Sequence, residues 1–176
     1  ACAERTGRAA RRRGGVGDRS MLSGLSHEFV EDFRRIYAAR DIVKVASYLH
    51  DNVEWTISGP IEYLRFCGTH RGKDAVIDLL KHRIPAVLRT FRFEPESVVV
   101  DGNHVAMLHR QSSRRTIDGR VANYRVANFM QFEGGKLIKN LSLLDTFDAV
   151  EQLLGQRIHI GYSSSQSSEH ADVVAV

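Results

Sequence analysis

Asp145 is the residue whose type and position most favour chemistry. It follows the apolar stretch that ends at Leu143 and Leu144, and it precedes Phe147. A carboxylate among apolar neighbours is costly unless it is hydrogen-bonded, paired with a charge or used in a reaction. Two compatible interpretations stay open. Asp145 lines a pocket as an acid or base, or Asp145 or Thr146 caps a helix that begins near Phe147.

His109 and Arg110 form a second pair of chemistry-bearing side chains, next to the apolar residues 105–108. Successive side chains of a strand point to opposite faces, so only one of the two can face the interior. An inward Arg110 needs a nearby carboxylate, which makes it a candidate partner of Asp145. An outward Arg110 pairs instead with surface groups of the sheet. We take Asp145 and Arg110 as the candidate catalytic residues.

Isolated polar residues among apolar ones are typical of a small-molecule pocket. Trp55 and Ile57 share one face of a strand and favour a wall or core position. Asn128 is a candidate buried amide, bonded either to a ligand or to a neighbouring strand. The predicted pocket-lining residues are Phe33, Tyr37, Trp55, Ile57, Leu108, Ser112, Asn128 and Leu143.

Metal and nucleotide cofactors are not expected. The eight histidines form no HxxxH or HExxH pair, and no phosphate-binding or dinucleotide-binding motif occurs. Cys2 and Cys67 are too few for a disulfide framework and have no CxxC spacing. This cysteine usage predicts a reducing, cytoplasmic compartment.

The positive charge of the chain lies at its start. The net charge is +4, and residues 1–20 contain six arginines against two acids, which leaves 19 basic and 19 acidic residues elsewhere. A neutral domain makes nucleic-acid binding an unlikely function, although an arginine-rich arm can contact phosphates. We predict that residues 1–20 are a disordered leader. A transit peptide stays open as an alternative.

The spacing of apolar residues predicts an α+β domain. Helical spacing covers residues 26–49, with Ser26 as cap and a break near Arg40 and Asp41. A strand follows at 52–58, a loop to His70, and a helix at 72–88 that Pro85 ends or kinks. Four antiparallel strands cover 90–144, and a short helix ends at Gly155.

This order predicts a curved antiparallel sheet wrapped around about three helices. At 176 residues the chain is long enough for one core, and it has no apolar stretch long enough to span a membrane. We assign residues 21–160 to the domain and residues 161–176, which are rich in serine, to a disordered tail.

The segments FVEDFRRIYAARDIVKVASYLHDNVEWTISGP, HRGKDAVIDLL and YRVANFMQFEGGKLIKNLSLLDTFDAVEQLLG resemble the nuclear transport factor 2-like superfamily, in particular its SnoaL-like branch. The resemblance covers about residues 26–157. It implies a cystatin-like cone, formed by a bent sheet and three helices, around an apolar cavity. Members of the superfamily include ketosteroid isomerases, polyketide cyclases, limonene epoxide hydrolases and non-catalytic binding modules, and many are dimers.

The isomerase pattern fails on this sequence. Its tyrosine falls on Phe33, its proton-shuttling aspartate at or next to Ile57, and its protonated aspartate on Asn128. Without a base, enolisation of that type is not expected.

The epoxide-hydrolase pattern matches in part. Arg110 and Asp145 occupy the positions of its arginine and its water-activating aspartate, but Ser112 stands where its second acid belongs. The polyketide-cyclase pattern places its acid/base aspartate at Asp145.

These observations leave two functions open. The chain is an acid/base enzyme acting through Asp145 on a small apolar or polycyclic molecule, or it is a non-catalytic ligand-binding or dimeric interaction module. Strand residues 121–132 carry apolar side chains on both faces, so we expect a homodimer formed through the exposed face of the sheet.

Overall fold

A computed structural model describes residues 24–158. The leader predicted for residues 1–20 and the tail predicted for residues 161–176 lie outside the described residues. The elements, in chain order, are α1 (His27–Ala38), α2 (Ile42–Tyr48), β1 (Leu49–Ser58), β2 (Gly68–Arg71), α3 (Lys73–Asp78), a π-helical turn (Leu79–Arg83), α4 (Ile84–Val87), β3 (Leu88–Asp101), β4 (His104–Arg115), β5 (Val121–Glu133), β6 (Lys136–Leu144) and α5 (Thr146–Leu154).

The first helical stretch is capped and broken as its sequence predicts. The Ser26 hydroxyl accepts a hydrogen bond from the Phe29 amide, 3.1 Å away, and so satisfies one of the free N–H groups at the start of α1. The chain leaves the helix at Arg40, which has a φ of 56°. Asp41 then caps α2 through a 3.1 Å bond from the Lys44 amide.

The six strands form one mixed sheet in the order β2-β1-β6-β5-β4-β3. All neighbouring pairs are antiparallel except β1 and β6, which are parallel and lie far apart in the sequence. The predicted α+β fold with a curved sheet is confirmed, and the four strands predicted for residues 90–144 pair antiparallel; the parallel β1–β6 pair makes the sheet mixed. Register irregularities in β3, at Thr90/Arg92 and Pro95/Ser97, mark the bulges that bend such a sheet.

Two short elements differ from the sequence prediction. The predicted loop before His70 contains part of β2, whose four residues are too few for a detectable alternation. Pro85 does not end the second helical stretch. It lies in the first turn of α4, directly after the π-helical turn, where its missing N–H breaks the regular hydrogen-bond pattern.

Helix α1 covers one face of the sheet, which we call the inner face. Phe33 is 2% exposed and its ring packs at 5.3 Å from the ring of Phe132 on β5. One turn later Tyr37 stacks at 6.2 Å on Trp55 of β1. These contacts place the hydrophobic core between α1 and the inner face.

Helix α5 closes the free edge of β5 beyond the end of β6. The Gln152 side-chain amide donates to the Asn123 carbonyl and accepts from the Asn123 N–H, as a neighbouring strand would. The Arg120 guanidinium donates to the carbonyls of Leu153 and Leu154, which lack helical partners. Gly155 ends the helix in the left-handed conformation, as predicted.

Within residues 24–158, none of the helices is both long enough and apolar enough to cross a membrane.

Gly59, which follows β1, packs closely against the start of α5, and there is no space for a side chain at this position. A Cβ on Gly59 would lie 2.7 Å from the Cys67 sulfur and 3.1 Å from a methyl carbon of Thr146. We expect Gly59→Ala to lower the free energy of unfolding by about 1–3 kcal/mol through overpacking. Urea denaturation would measure the loss.

The double variant Gly59→Ala/Cys67→Ala provides the control, because removal of the sulfur makes space for the added methyl group. We expect the double variant to lose less free energy of unfolding than the two single variants lose in sum. Strictly additive losses would contradict a steric contact between these two positions.

Candidate functional site

An internal cavity lies between the helices and the inner face of the sheet. We call it the inner cavity. Its volume is about 40 Å³, which admits on the order of three water-sized groups. Three predicted pocket residues line it, namely Tyr37, Trp55 and Ile57. Most of its wall is apolar, and Arg40 is the one charged residue that lines it among the described residues.

A second, more open cavity adjoins the first. We call it the vestibule. Its volume is about 250 Å³ and it lies between α2, the turn around Pro85 and the start of β3. Arg40, Leu80 and Ile84 line both cavities, so the two cavities meet at these three side chains.

A polar network crosses the inner face beside the cavity. The Thr90 hydroxyl lies 2.9 Å from the Ser113 hydroxyl, which lies 2.9 Å from the Tyr124 hydroxyl. The side-chain amide of Gln111 donates to Nε2 of His109 at 2.7 Å. Since both Thr90 and Tyr124 also donate to the Gln111 oxygen, the network holds Gln111 in one orientation.

Ser142 is the centre of a second polar cluster. Its hydroxyl donates to the Asn128 oxygen at 2.6 Å and accepts from the Trp55 indole at 3.2 Å and from the Asn140 amide at 2.8 Å. The two interpretations of Asn128 are thereby decided in part, because its oxygen is bonded to a neighbouring strand. Asn128 lies behind the cavity wall, and Ser142 is the member of the cluster that lines the cavity.

Arg110 lies on the outer face, opposite to the face that its predicted role requires. Its guanidinium pairs with Glu96 at 3.2 Å, and Arg125 pairs with the same carboxylate at 3.0 Å. His109, which is 0% exposed, is the inward member of the pair. The expected pairing of Arg110 with Asp145 is therefore not formed.

Asp145 is exposed and does not line either cavity. It stands at the cap position of α5, where its backbone carbonyl accepts from the Ala149 N–H at 3.1 Å. Its side chain makes no capping hydrogen bond. The structure thus brings neither candidate catalytic residue into the inner cavity.

Three predicted pocket residues lie on the outer face, and one lies in the core. Leu108 and Ser112 share the outer face with Arg110, and the Ser112 hydroxyl donates to Asn123 at 2.6 Å. Leu143 is 41% exposed, whereas its neighbours Ser142 and Leu144 line the cavity. Phe33, on α1, is buried against Phe132 and does not line the cavity.

The misplacements of Leu108, Arg110 and Ser112 on β4 share one cause. The residues of β4 are apolar on both faces near its start, so their alternation does not show which face is covered. One signal in the sequence was available. Arg110 and Arg114 are four residues apart on one strand, so their side chains point to the same face, and two charged side chains on one face indicate that this face is exposed to solvent. Three further residues that line the cavity were not predicted, namely Gln111, Tyr124 and Arg40. Gln111 and Tyr124 lie on the inner face of their strands, and Arg40 lies where α1 ends.

Among residues 24–158, Arg40 is the one charged side chain at the wall of the inner cavity. Burial, with a smaller contribution from the Arg40 guanidinium, lowers the pKa of His109 to about 3, so its imidazole is neutral. Burial also raises the pKa of the hydroxyls of Tyr37 and Tyr124. No Asp or Glu of residues 24–158 lines the inner cavity, and no three metal-ligating side chains come together there. The arrangement can hold and orient a molecule by hydrogen bonds.

The low pKa of His109 predicts a pH-dependent stability. The unfolded chain binds a proton on this residue near pH 6.5, whereas the folded chain does so only near pH 3. Stability therefore falls as the pH drops below 6.5, by about 1.4 kcal/mol per unit until pH 3. Between pH 6.5 and 4.5, we expect wild type to lose about 2 kcal/mol more than His109→Gln in urea denaturation.

The exposed His104 provides the control. His104→Gln should keep the wild-type pH dependence. Equal pH dependence in His109→Gln and wild type would contradict a neutral, buried His109.

Comparison with known proteins gives a family and a set of similar folds. A model of the SnoaL-like domain matches residues 30–140. A solved structure from Rhodopseudomonas palustris, named "Putative Isomerase", is 34% identical, with a TM-score of 0.63 over 73% of this chain and 94% of that one. Among proteins of curated function, none matches the sequence.

Two more distant structures share the fold. An epoxide hydrolase of M. tuberculosis, described as LEH-like, is 17% identical, with a TM-score of 0.57 over 73% of this chain and 88% of that one. TerC, co-crystallised with polyporic acid, is 19% identical, with a TM-score of 0.56 over 67% and 89%. The domain match covers more than half of the 176 residues, and this chain belongs to the SnoaL-like family.

Proposed function

We propose that this protein binds a small molecule in the inner cavity and the vestibule. The observation that carries the proposal is the wall of the inner cavity, where apolar side chains meet the hydroxyl of Ser142, the amide of Gln111 and the guanidinium of Arg40. Ligand sites typically combine an apolar wall with a few convergent polar groups. TerC, which shares the fold, was crystallised with a small molecule.

The available space favours a slender ligand. Drug-sized ligands occupy sites of about 300–1,000 Å³, whereas the inner cavity has about 40 Å³ and the vestibule about 250 Å³. A ligand that occupies both must extend past Leu80 and Ile84, which line both cavities. The expectation of a small apolar molecule is thus retained, and a polycyclic one would require the cavity to widen.

Ligand binding without catalysis is favoured over acid/base chemistry at Asp145. The similarity to proteins named as an isomerase and an epoxide hydrolase supports a reaction on the ligand as the second candidate. A general acid or base must reach the reacting atoms within hydrogen-bond distance. Asp145 is exposed and outside the cavity lining, and the buried His109 is neutral with a pKa of about 3.

Filling the inner cavity tests the proposed site. Val126 and Val121 lie on β5 with opposite orientations, since Val126 lines the cavity and Val121 is 41% exposed on the outer face. We expect Val126→Phe to weaken binding of octan-1-ol at least tenfold, and Val121→Phe to leave it unchanged. Ligand-observed NMR titration measures both.

Equal binding by both variants would contradict binding in the inner cavity.

If a reaction is found, Asp145→Asn tests the second candidate, because loss of a general acid or base slows turnover about 100-fold or more. Unchanged turnover would exclude Asp145 as that group.

We also propose that two copies associate through the outer face of the sheet. A groove of about 280 Å³ on this face is lined by Val99, Ala106, Phe129 and Leu141, and its lining is mainly apolar. Val99 and Phe129 are 61% and 50% exposed. Exposed apolar patches of this kind are typical of association surfaces.

Sedimentation should therefore report a mass of about twice 19.8 kDa at micromolar concentration. We expect Phe129→Glu to give a monomer, because two carboxylates would be buried in a symmetric interface. Ile117→Glu is the control, since Ile117 is 86% exposed in the turn between β4 and β5. A wild-type monomer would contradict the proposal.

A further inference from the structure

Arg40, at the junction of the two cavities, is a positive charge that pairs with no carboxylate of residues 24–158. We propose that the ligand is an amphiphilic anion, whose carboxylate binds Arg40 while its apolar chain occupies the inner cavity. This inference rests on the proposed function and adds the chemical class of the ligand. Four observations carry it, concerning the backbone of Arg40, its hydrogen bonds, the charges of the vestibule and the path for the chain.

The backbone of Arg40 is in a conformation that disfavours an arginine. Its φ of 56° lies in the left-handed region, where a side chain with a Cβ is strained and glycine is preferred. Helix α1 ends there, with the Arg40 N–H bonded to the Tyr37 carbonyl at 3.1 Å. Strain of this kind is found at ligand sites, where the side chain is required at that place.

The hydrogen-bonding capacity of Arg40 is largely unused. One terminal nitrogen donates to Thr90 at 3.3 Å, and the guanidinium lies 5.7 Å above the Tyr37 ring. The Nε atom is buried and has no acceptor among the described residues. The neighbouring acid, Asp41, is bonded to the Lys44 amide and pairs with the Lys44 ammonium at 3.0 Å.

Arg40 is partly buried, and a guanidinium group withdrawn from water in this way favours an oxygen acceptor with negative charge. A carboxylate can accept two parallel N–H bonds from the guanidinium fork. No carboxylate of residues 24–158 pairs with Arg40. A carboxylate of a bound ligand could therefore be the acceptor of its N–H groups.

The vestibule is positively charged around this group. Lys81 and Arg89 line it together with Arg40, and its lining contains no Asp or Glu in the described part of the chain. Neither Lys81 nor Arg89 forms an ion pair within that part. Charges of one sign around a cleft attract ligands of the opposite sign.

The path for the apolar chain starts at the same place. Leu80 and Ile84 line both cavities beside Arg40, and the inner cavity beyond them is enclosed by Trp55, Phe66 and Val126. A carboxylate held by Arg40 therefore leaves the rest of the molecule facing apolar side chains. This arrangement selects a ligand that is charged at one end and apolar along its length.

Octanoate and octan-1-ol test the inference, because they have the same chain and differ in charge. Calorimetric titration of the full chain should give octanoate at least tenfold tighter binding than octan-1-ol. We expect Arg40→Gly to weaken octanoate binding at least tenfold, which corresponds to the loss of one charge-assisted hydrogen bond. Octan-1-ol should lose less affinity than octanoate in Arg40→Gly, because it has no charge to pair with the guanidinium.

Arg40→Gly is suited to this test because glycine adopts a φ of 56° without strain. We therefore expect its melting temperature not to fall, which separates lost binding from lost folding. Arg40→Lys keeps the charge without the fork and should bind octanoate with intermediate affinity. Arg110→Ala, on the outer face, is the matched control and should bind both probes as wild type does.

The outcomes distinguish the inference from the proposed function. Equal affinities for octanoate and octan-1-ol, or a preference for octanoate that persists in Arg40→Gly, would overturn the anionic ligand and leave small-molecule binding intact. If both probes bind equally well to Val126→Phe and to wild type, binding is outside the inner cavity and the proposed function itself fails.

Discussion

The packing of helix α1 on the inner face of the sheet is the contact on which the site depends. Phe33 lies against Phe132 of β5, and Tyr37 stacks on Trp55 of β1. The side chains of Phe132 and Trp55 must therefore point toward α1. The side chains of a strand alternate between its two faces, and a single buried residue therefore determines the orientation of all the others. Through this alternation, the aromatic packing of α1 directs the polar network around Gln111 into the interior.

The interior so formed is mainly apolar, and it contains a set of hydrogen-bonded polar side chains. His109, the buried hydroxyls and the amides hydrogen-bond to one another, which offsets the cost of removing them from water. Because burial lowers the pKa of His109 to about 3, the imidazole gives no charge to the cavity. Arg40 is then the one fixed charge that a bound molecule would meet there, and its position depends on where α1 ends.

Much of the fold could be predicted from the sequence, because the signals for it are local. Ser26 caps α1, the chain breaks near Arg40 and Asp41, and Gly155 ends the last helix, each through the conformational preference of that residue. The parallel contact of β1 with β6 could not be predicted in this way, since it joins segments about eighty residues apart. Strand β2 was missed because a four-residue segment has no measurable periodicity.

The sequence by itself determined the family and, apart from β2, the order of the elements. Tertiary structure alone decided which face of each strand is covered, and this decision moved Arg110 to the outer face and His109 to the interior. It also left Asp145 exposed and brought Arg40 to the junction of the two cavities. The physical reason is that alternation along a strand defines two faces, and the packing of distant segments determines which of the two faces is buried.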